Sequence, residues 1–292
     1  MNNILVLGGT GKTGSRIARR LKAAGRPVRT ASRTAPRTSG DIPFDLDNPT
    51  SWAPALDGVT AAYLVEPNLQ MSADRQARIP RFVTEAVAAG VRRLVLLSAP
   101  RAGEAGHPLH AAEQAVRGSG VDWTILRPNW FSQNFSEGPW LPGILKGTLA
   151  LPTGDGCTPF IDAEDIAEVA ASALTEDRHN TRIYELTGPR AISFGEAASL
   201  IAKATGRTIR HVDIAPDAFI ERQITAGASP DVARLLTELL TAIGNGSGAA
   251  LSDDVERALD RRPRTFENFV TETAAAGRWN ESSPASAVGD GF

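Results

Sequence analysis

The 292-residue sequence holds one cysteine, Cys157, four histidines and two tyrosines, Tyr63 and Tyr184. A single cysteine excludes an intramolecular disulfide and any cysteine-based metal cluster, and Cys157 reads as a loop residue without chemistry. His107 and His110 stand close together, but no third ligand accompanies them, so no metal is expected. No apolar run approaches the ~20 residues of a membrane helix. Met1-Asn2-Asn3 leads into a strand-like run without the basic and apolar stretches of a signal peptide. The expectation is a cytoplasmic protein with no membrane partner. A formal net charge of −2 leaves no basic footprint, so nucleic acid is not an expected partner.

What is present is a hydrophobic content of 42% in short runs of two alternating periods. Residues 4–7, 28–32, 42–46, 61–65, 92–98 and 122–126 are apolar runs of strand length, and a further strand is expected at 182–186. Between them, 12–24, a helix ending at Gly90, and 110–117 place apolar residues at helical spacing. The alternation predicts an α/β fold, a Rossmann-type doubly wound parallel sheet with right-handed crossovers. Residues 129–142 are aromatic-rich and show no period. Helices are expected over 165–174, capped by Asp162 or Asp165, and over 194–205, where Ser193 and Glu196 form a capping box. Further helices are expected at 216–226, 230–243 and 263–276, with a strand at 209–212. The chain then divides into a Rossmann domain over 1–150 with strand returns from 157–187, a smaller, mostly helical α/β part over 188–280 covering a substrate, and a disordered tail over 281–292.

The first strand runs into Gly8-Gly9-Thr10-Gly11-Lys12-Thr13-Gly14 and then a helix, the context a dinucleotide fingerprint requires. Gly8 permits the tight turn, Gly11 the approach of a pyrophosphate, and Gly14 close packing of helix on sheet. Helix amides at Thr10, Lys12 and Thr13 are placed to bind the phosphates. An NTPase loop is excluded by the spacing. Dinucleotide folds that take NAD place an acid after the second strand; here that strand ends Ala31-Ser32-Arg33, followed by Thr34 and Arg37. Ser32 and Arg33 suit a 2′-phosphate, so the expected cofactor is NADP(H).

Ligands of open α/β sheets lie beyond the carboxyl ends of the strands. That places Asp45 and Leu46, Val65, Ser98 and Pro128 beside the cofactor as well. Ser98 can hydrogen-bond a substrate or the nicotinamide amide, or act only as a cap. His110 can supply a proton near neutral pH, or be an ordinary surface histidine. Glu66 can hold a cationic substrate, or serve a loop or ribose hydrogen bond. Trp130, Phe131, Asn134, Phe135 and Trp140 are the expected substrate wall, with loop packing as the alternative. Short-chain dehydrogenases commonly use Tyr-x-x-x-Lys as proton donor. Pro67 and Gly188 stand four residues after the two tyrosines, so that pair is absent.

The glycine loop, Ala31-Ser-Arg33, Val91-Arg-Arg-Leu-Val-Leu-Leu-Ser98, Thr124-Ile-Leu-Arg-Pro128, Asn129-Trp-Phe131 with Asn134-Phe135, and Phe160-Ile-Asp-Ala-Glu-Asp-Ile166 form an ordered set. Together they resemble the NmrA-like, atypical short-chain dehydrogenase/reductase family, nearest its festuclavine/agroclavine dehydrogenase group. Glu66-Pro67 departs from that pattern. The resemblance implies NADPH on a Rossmann domain, with a C-terminal part over a substrate cleft. It further implies hydride transfer to an electron-poor C=N, or alternatively C=O or C=C, of a small secondary-metabolite-like molecule, aromatic or cationic. Quinone or azo-dye reduction and a non-catalytic NADP(H) sensor are the alternatives; a homodimer is compatible with all of them.

Overall fold

The computed structural model describes residues 3–33, 41–67 and 72–280. Thr34, Arg37 and the expected tail over 281–292 lie outside them.

Seven strands form one parallel sheet: β1 (Asn3–Leu7), β2 (Val28–Ser32), β3 (Asp41–Pro43), β4 (Val59–Val65), β5 (Arg93–Leu97), β6 (Asp122–Pro128) and, returning from further along the chain, Arg182–Leu186. The spatial order is β3-β2-β1-β4-β5-β6, with Arg182–Leu186 outside β6. Order reverses at β1, so the carboxyl ends of β1 and β4 part and open a crevice. The short runs are apolar throughout because both faces are covered. In β1, Leu5 and Leu7 pack with Trp52 and Phe82 on one face, while Ile4 and Val6 pack with Ile17 and Ile166 on the other. The flanking helices are α1 (Gly14–Ala23), α2 (Arg78–Ala88), α3 (His110–Arg117) and α4 (Ala163–Thr175). Asp162 caps α4 by accepting from Glu164 N at 2.9 Å. The third strand is shorter than expected, because Phe44 and Leu46 leave the ladder to join the core around Trp52.

A second centre of packing gathers Phe135, Trp140, Phe160, Phe194, Phe266 and Trp279. It begins at Phe135, inside the range read from sequence as the Rossmann domain, so the smaller part draws in the segment after β6. Its elements include β7 (Thr148–Leu151), β8 (Cys157–Thr158), α5 (Phe194–Thr205), α6 (Pro216–Thr225), α7 (Pro230–Gly244) and α8 (Phe266–Ala275). Ser193 caps α5 as expected, accepting from Glu196 N at 3.1 Å. Helix α8 starts later than expected, at Phe266, where Thr265 accepts from Asn268 N at 3.1 Å. Trp279 is 1% exposed and donates its indole N–H to Phe135 O at 2.9 Å, tying the far end of this part to the segment after β6.

Candidate cofactor and substrate site

The glycine loop turns at Gly8, whose φ of +65° is the left-handed conformation that glycine adopts without cost. Gly11 N donates to Gly8 O at 2.8 Å and closes the turn. A Cβ on Gly14 would lie 2.2 Å from Gly8 O and 2.7 Å from Gly8 C, both backbone, so only glycine lets α1 approach the turn. At Gly11 a Cβ would meet only Gly8 O, at 3.2 Å. Gly9, which the fingerprint does not single out, is equally constrained: a Cβ there would lie 2.5 Å from Thr30 Cβ. The amides of Thr10, Lys12 and Thr13 have no acceptor among the described residues, which leaves donors at the start of α1 for an anion.

Tyr63, absent from any proton-relay motif, supports this loop from below. It is fully buried on β4 and donates to Thr13 Oγ1 at 2.9 Å. Burial raises its pKa, and the hydrogen bond to Thr13 opposes this only in part.

Beside the loop is a hollow of about 380 Å³ lined by Gly9, Thr10, Lys22, Thr30, Ser32 and Asp41, among others. Ser32 Oγ is buried there with no partner among the described residues. Arg33 is exposed immediately after it, with no acidic partner among them. An orphaned hydroxyl and unpaired amides beside a cation fit the phosphates and ribose of a dinucleotide. Asp41 was not foreseen: it stands nine residues after Ser32 in sequence, yet β3 pairs Asp41 with Thr30, whose hydroxyl donates to its carboxylate. The acid missing directly after β2 is thus supplied across the ladder.

Farther along the crevice, Val65 packs on Gly8: its Cγ1 would be 3.0 Å from a Cβ placed there. The side chain of Asp45 accepts from Asp47 N at 3.0 Å and so serves a turn, and Leu46 is a core residue. Pro128 ends β6 and is buried.

Several sites expected to act on substrate are engaged elsewhere. Glu66 pairs with the Arg78 guanidinium, which also donates to Asp47 Oδ1 at 2.8 Å, so a carboxylate expected to hold a cationic substrate is neutralised within the protein. Ser98 donates to Glu113 Oε1 at 2.6 Å, so its proton is not available to a substrate or a nicotinamide amide. Glu113 is fully buried on α3 and takes both prongs of Arg127, at 2.9 and 2.6 Å. Burial pushes the Glu113 carboxyl up, but the hydrogen bonds from Arg127 and Ser98 outweigh it and hold it below the usual value. His110 opens α3, and its Nδ1 is buried without a partner among the described residues. Phe135 and Trp140 are core residues, with ring centroids 4.7 Å apart, and so are removed from the expected wall. Trp130 and Phe131 stay half-buried, and Trp130 packs on Trp140 at 5.4 Å. Cys157 lies in β8.

The segment after β6 is pinned to α4 by Gln133, which donates to Asp162 Oδ1 at 2.6 Å and accepts from Ala163 N at 2.7 Å. Asn134 accepts from Lys12 Nζ at 3.0 Å, so the glycine loop and the segment after β6 meet. A cleft of about 1050 Å³ opens past β6 and Arg182–Leu186, lined by Arg127, Asn129, Glu185, Thr187 and Arg262 among others. None of the five expected wall residues lines it. Among the described residues no helix is long and apolar enough to cross a membrane.

A family model described as NAD(P)H-binding matches residues 8–177. The chain is 37% identical over 277 residues to an oxidoreductase of Bacillus subtilis, covering 94% of this chain and 96% of that one. It is 35% identical over 296 residues to the festuclavine dehydrogenase of Aspergillus fumigatus, covering 94% and 98%. Among solved structures, the Citrobacter triphenylmethane reductase complexed with NADP(H) superposes with a TM-score of 0.77 at 22% identity, over 94% of this chain and 99% of that one.

Proposed function

Because this chain belongs to the NAD(P)H-binding, NmrA-like family of oxidoreductases, we propose that it is an NADPH-dependent reductase of an electron-poor double bond in a small molecule, with C=N, as an iminium ion, the preferred target. The bound nicotinamide supplies the hydride. The observation that carries the reading is the state of the two tyrosines and of the strand-end serine. Tyr63 donates to Thr13, Tyr184 shares a 2.9 Å hydrogen bond with His179 Nδ1, and Ser98 donates to Glu113. Reducing a ketone builds negative charge on oxygen and calls for a proton donor. An iminium nitrogen begins positive and ends neutral, so its reduction needs none.

The protein's own residues then hold and orient. The free amides of Thr10, Lys12 and Thr13 receive the pyrophosphate. Ser32 and Arg33, with Lys22 across the hollow, favour a 2′-phosphate over a bare ribose, and Asp41, held by Thr30, tempers that preference. Trp130 and Phe131 offer the remaining aromatic faces to a cation. The relatives' names support the same class of chemistry: one is a festuclavine dehydrogenase.

The test is NADPH oxidation against iminium ions, ketones, enones and quinones of matched shape. Higher kcat/KM for the iminium supports the proposal. Faster ketone reduction that depends on His110, the half-buried group with an unpartnered nitrogen, would replace it with an acid-assisted mechanism. NADPH binding without turnover of any of them would mark a cofactor sensor.

A further inference from the structure

A lysine side chain links the glycine loop to the segment after β6. Lys12 leaves the glycine loop between Gly11 and Thr13 and donates to Asn134 Oδ1 at 3.0 Å. Asn134 is buried and begins the short helix Asn134–Glu137, which carries the core residue Phe135. Gly138 keeps room for the contact: a Cβ there would lie 3.1 Å from Lys12 Nζ, 3.0 Å from Asn134 Oδ1 and 2.7 Å from Asn134 Cα. One turn along α1, Arg16 donates to Lys12 O at 2.7 Å and to Glu137 Oε1 at 2.6 Å.

Glu137 is therefore engaged by Arg16, and the ammonium keeps a neutral amide oxygen as its acceptor. Two of its three donors have no acceptor among the described residues. Burial lowers the Lys12 pKa, with Arg16 adding to the effect and Glu137 opposing it. An apolar side chain of similar length would fill this space without the desolvation cost, so packing alone does not account for a lysine. Its distinctive property is to join two loops that a bound cofactor and a bound substrate would each contact.

We infer that Lys12 is a positioning residue that sets the segment after β6 in register on the glycine loop through Asn134, so that NADPH bound at the loop orders the segment proposed to receive the substrate. The inference rests on the reductase reading and adds the residue that couples the two binding regions. Coupling through this contact is reciprocal: whatever NADPH does to the segment, a substrate does in return to NADPH affinity.

The experiment measures NADPH affinity by fluorescence titration and amide exchange over residues 130–140, with and without NADPH. Wild type, Lys12→Met, Lys12→Arg, Asn134→Leu and the double variant Lys12→Met/Asn134→Leu are compared. NADPH should slow exchange over 130–140 in wild type and in Lys12→Arg, and leave it unchanged in Lys12→Met and Asn134→Leu. NADPH affinity should fall less than about tenfold in each single variant, the scale of one coupling contact. The double variant should be no worse than either single one, because both remove the same link. Persistent protection in Lys12→Met overturns the inference. So does a greater than about tenfold loss of NADPH affinity there, which would make Lys12 a phosphate ligand and not a link. If wild type fails to bind NADPH, the reductase reading falls and takes this inference with it; binding without a Lys12-dependent change removes the inference alone.

Discussion

Ser98 Oγ and Glu113 Oε1 lie 2.6 Å apart, joining the carboxyl end of β5 to α3. Arg127 completes the pair from β6, so three elements share one buried charge network. Ser98→Ala removes a hydrogen bond to a buried carboxylate and should cost about 2 kcal/mol of stability in urea unfolding. Turnover per folded molecule should change little; a hundredfold loss of kcat at unchanged stability would return Ser98 to the chemistry.

The same network sets an acid limit. Because the Glu113 pKa is lower in the folded state than its ordinary 4.5, its contribution to stability is present above that value and is lost as pH falls through the folded pKa. Resistance to thermal unfolding should therefore fall below pH 4.5, and Glu113→Gln should flatten that part of the profile while lowering stability above it by about 1–3 kcal/mol, because Arg127 loses its bidentate partner and keeps only Glu185, at 2.9 Å.

Two glycines should fail differently. Gly14→Ala forces a Cβ onto the Gly8 carbonyl, so the fold itself should suffer, with a loss of about 2 kcal/mol or more. Gly11→Val meets only the Gly8 carbonyl, at 3.2 Å, so its unfolding midpoint should fall less than that of Gly14→Ala while NADPH binding is lost. Calorimetry paired with titration separates the two; normal affinity in Gly11→Val would place the cofactor elsewhere.

Arg33→Ala tests which nicotinamide is preferred. A charge-assisted contact to a 2′-phosphate contributes about 1.5–3 kcal/mol, so NADPH affinity should fall roughly 10- to 100-fold with NADH nearly unaffected. Asp41→Asn should act the opposite way, tightening NADPH. Equal loss of both cofactors on changing Arg33 would overturn the assignment.

Glu66→Gln should lower stability, because Arg78 is buried and loses a charged partner. Its KM for an iminium substrate should stay as in wild type. A KM increase for the cation alone would show that the ion pair opens to receive it.

Much of this fold is legible in the residues. Residues 28–32, 110–117, 182–186 and 194–205 match their expected bounds because each is marked by a period and a boundary, as Ser193 and Glu196 mark α5. The glycine loop reads equally well, since Gly8 and Gly14 are required by local backbone geometry. What stays hidden is pairing across elements. Nothing local to Glu66 announces Arg78, nor does Ser98 announce Glu113 or β2 announce Asp41. The segment after β6 hides for another reason: Phe135 and Trp140 are buried by residues arriving from Phe160, Phe194 and Phe266, so their burial leaves no period of its own.

The indole of Trp279 under Phe135 has a consequence for biosynthesis. A ribosome delivers the N-terminal half first, and the main sheet is complete once Arg182–Leu186 has emerged. The anchor for residue 135 follows only much later in translation. The nascent chain can therefore assemble its nucleotide cradle while the neighbouring aromatic segment still lacks its keystone, and a stop codon just before Trp279 would act as an active-site lesion although no site residue is changed.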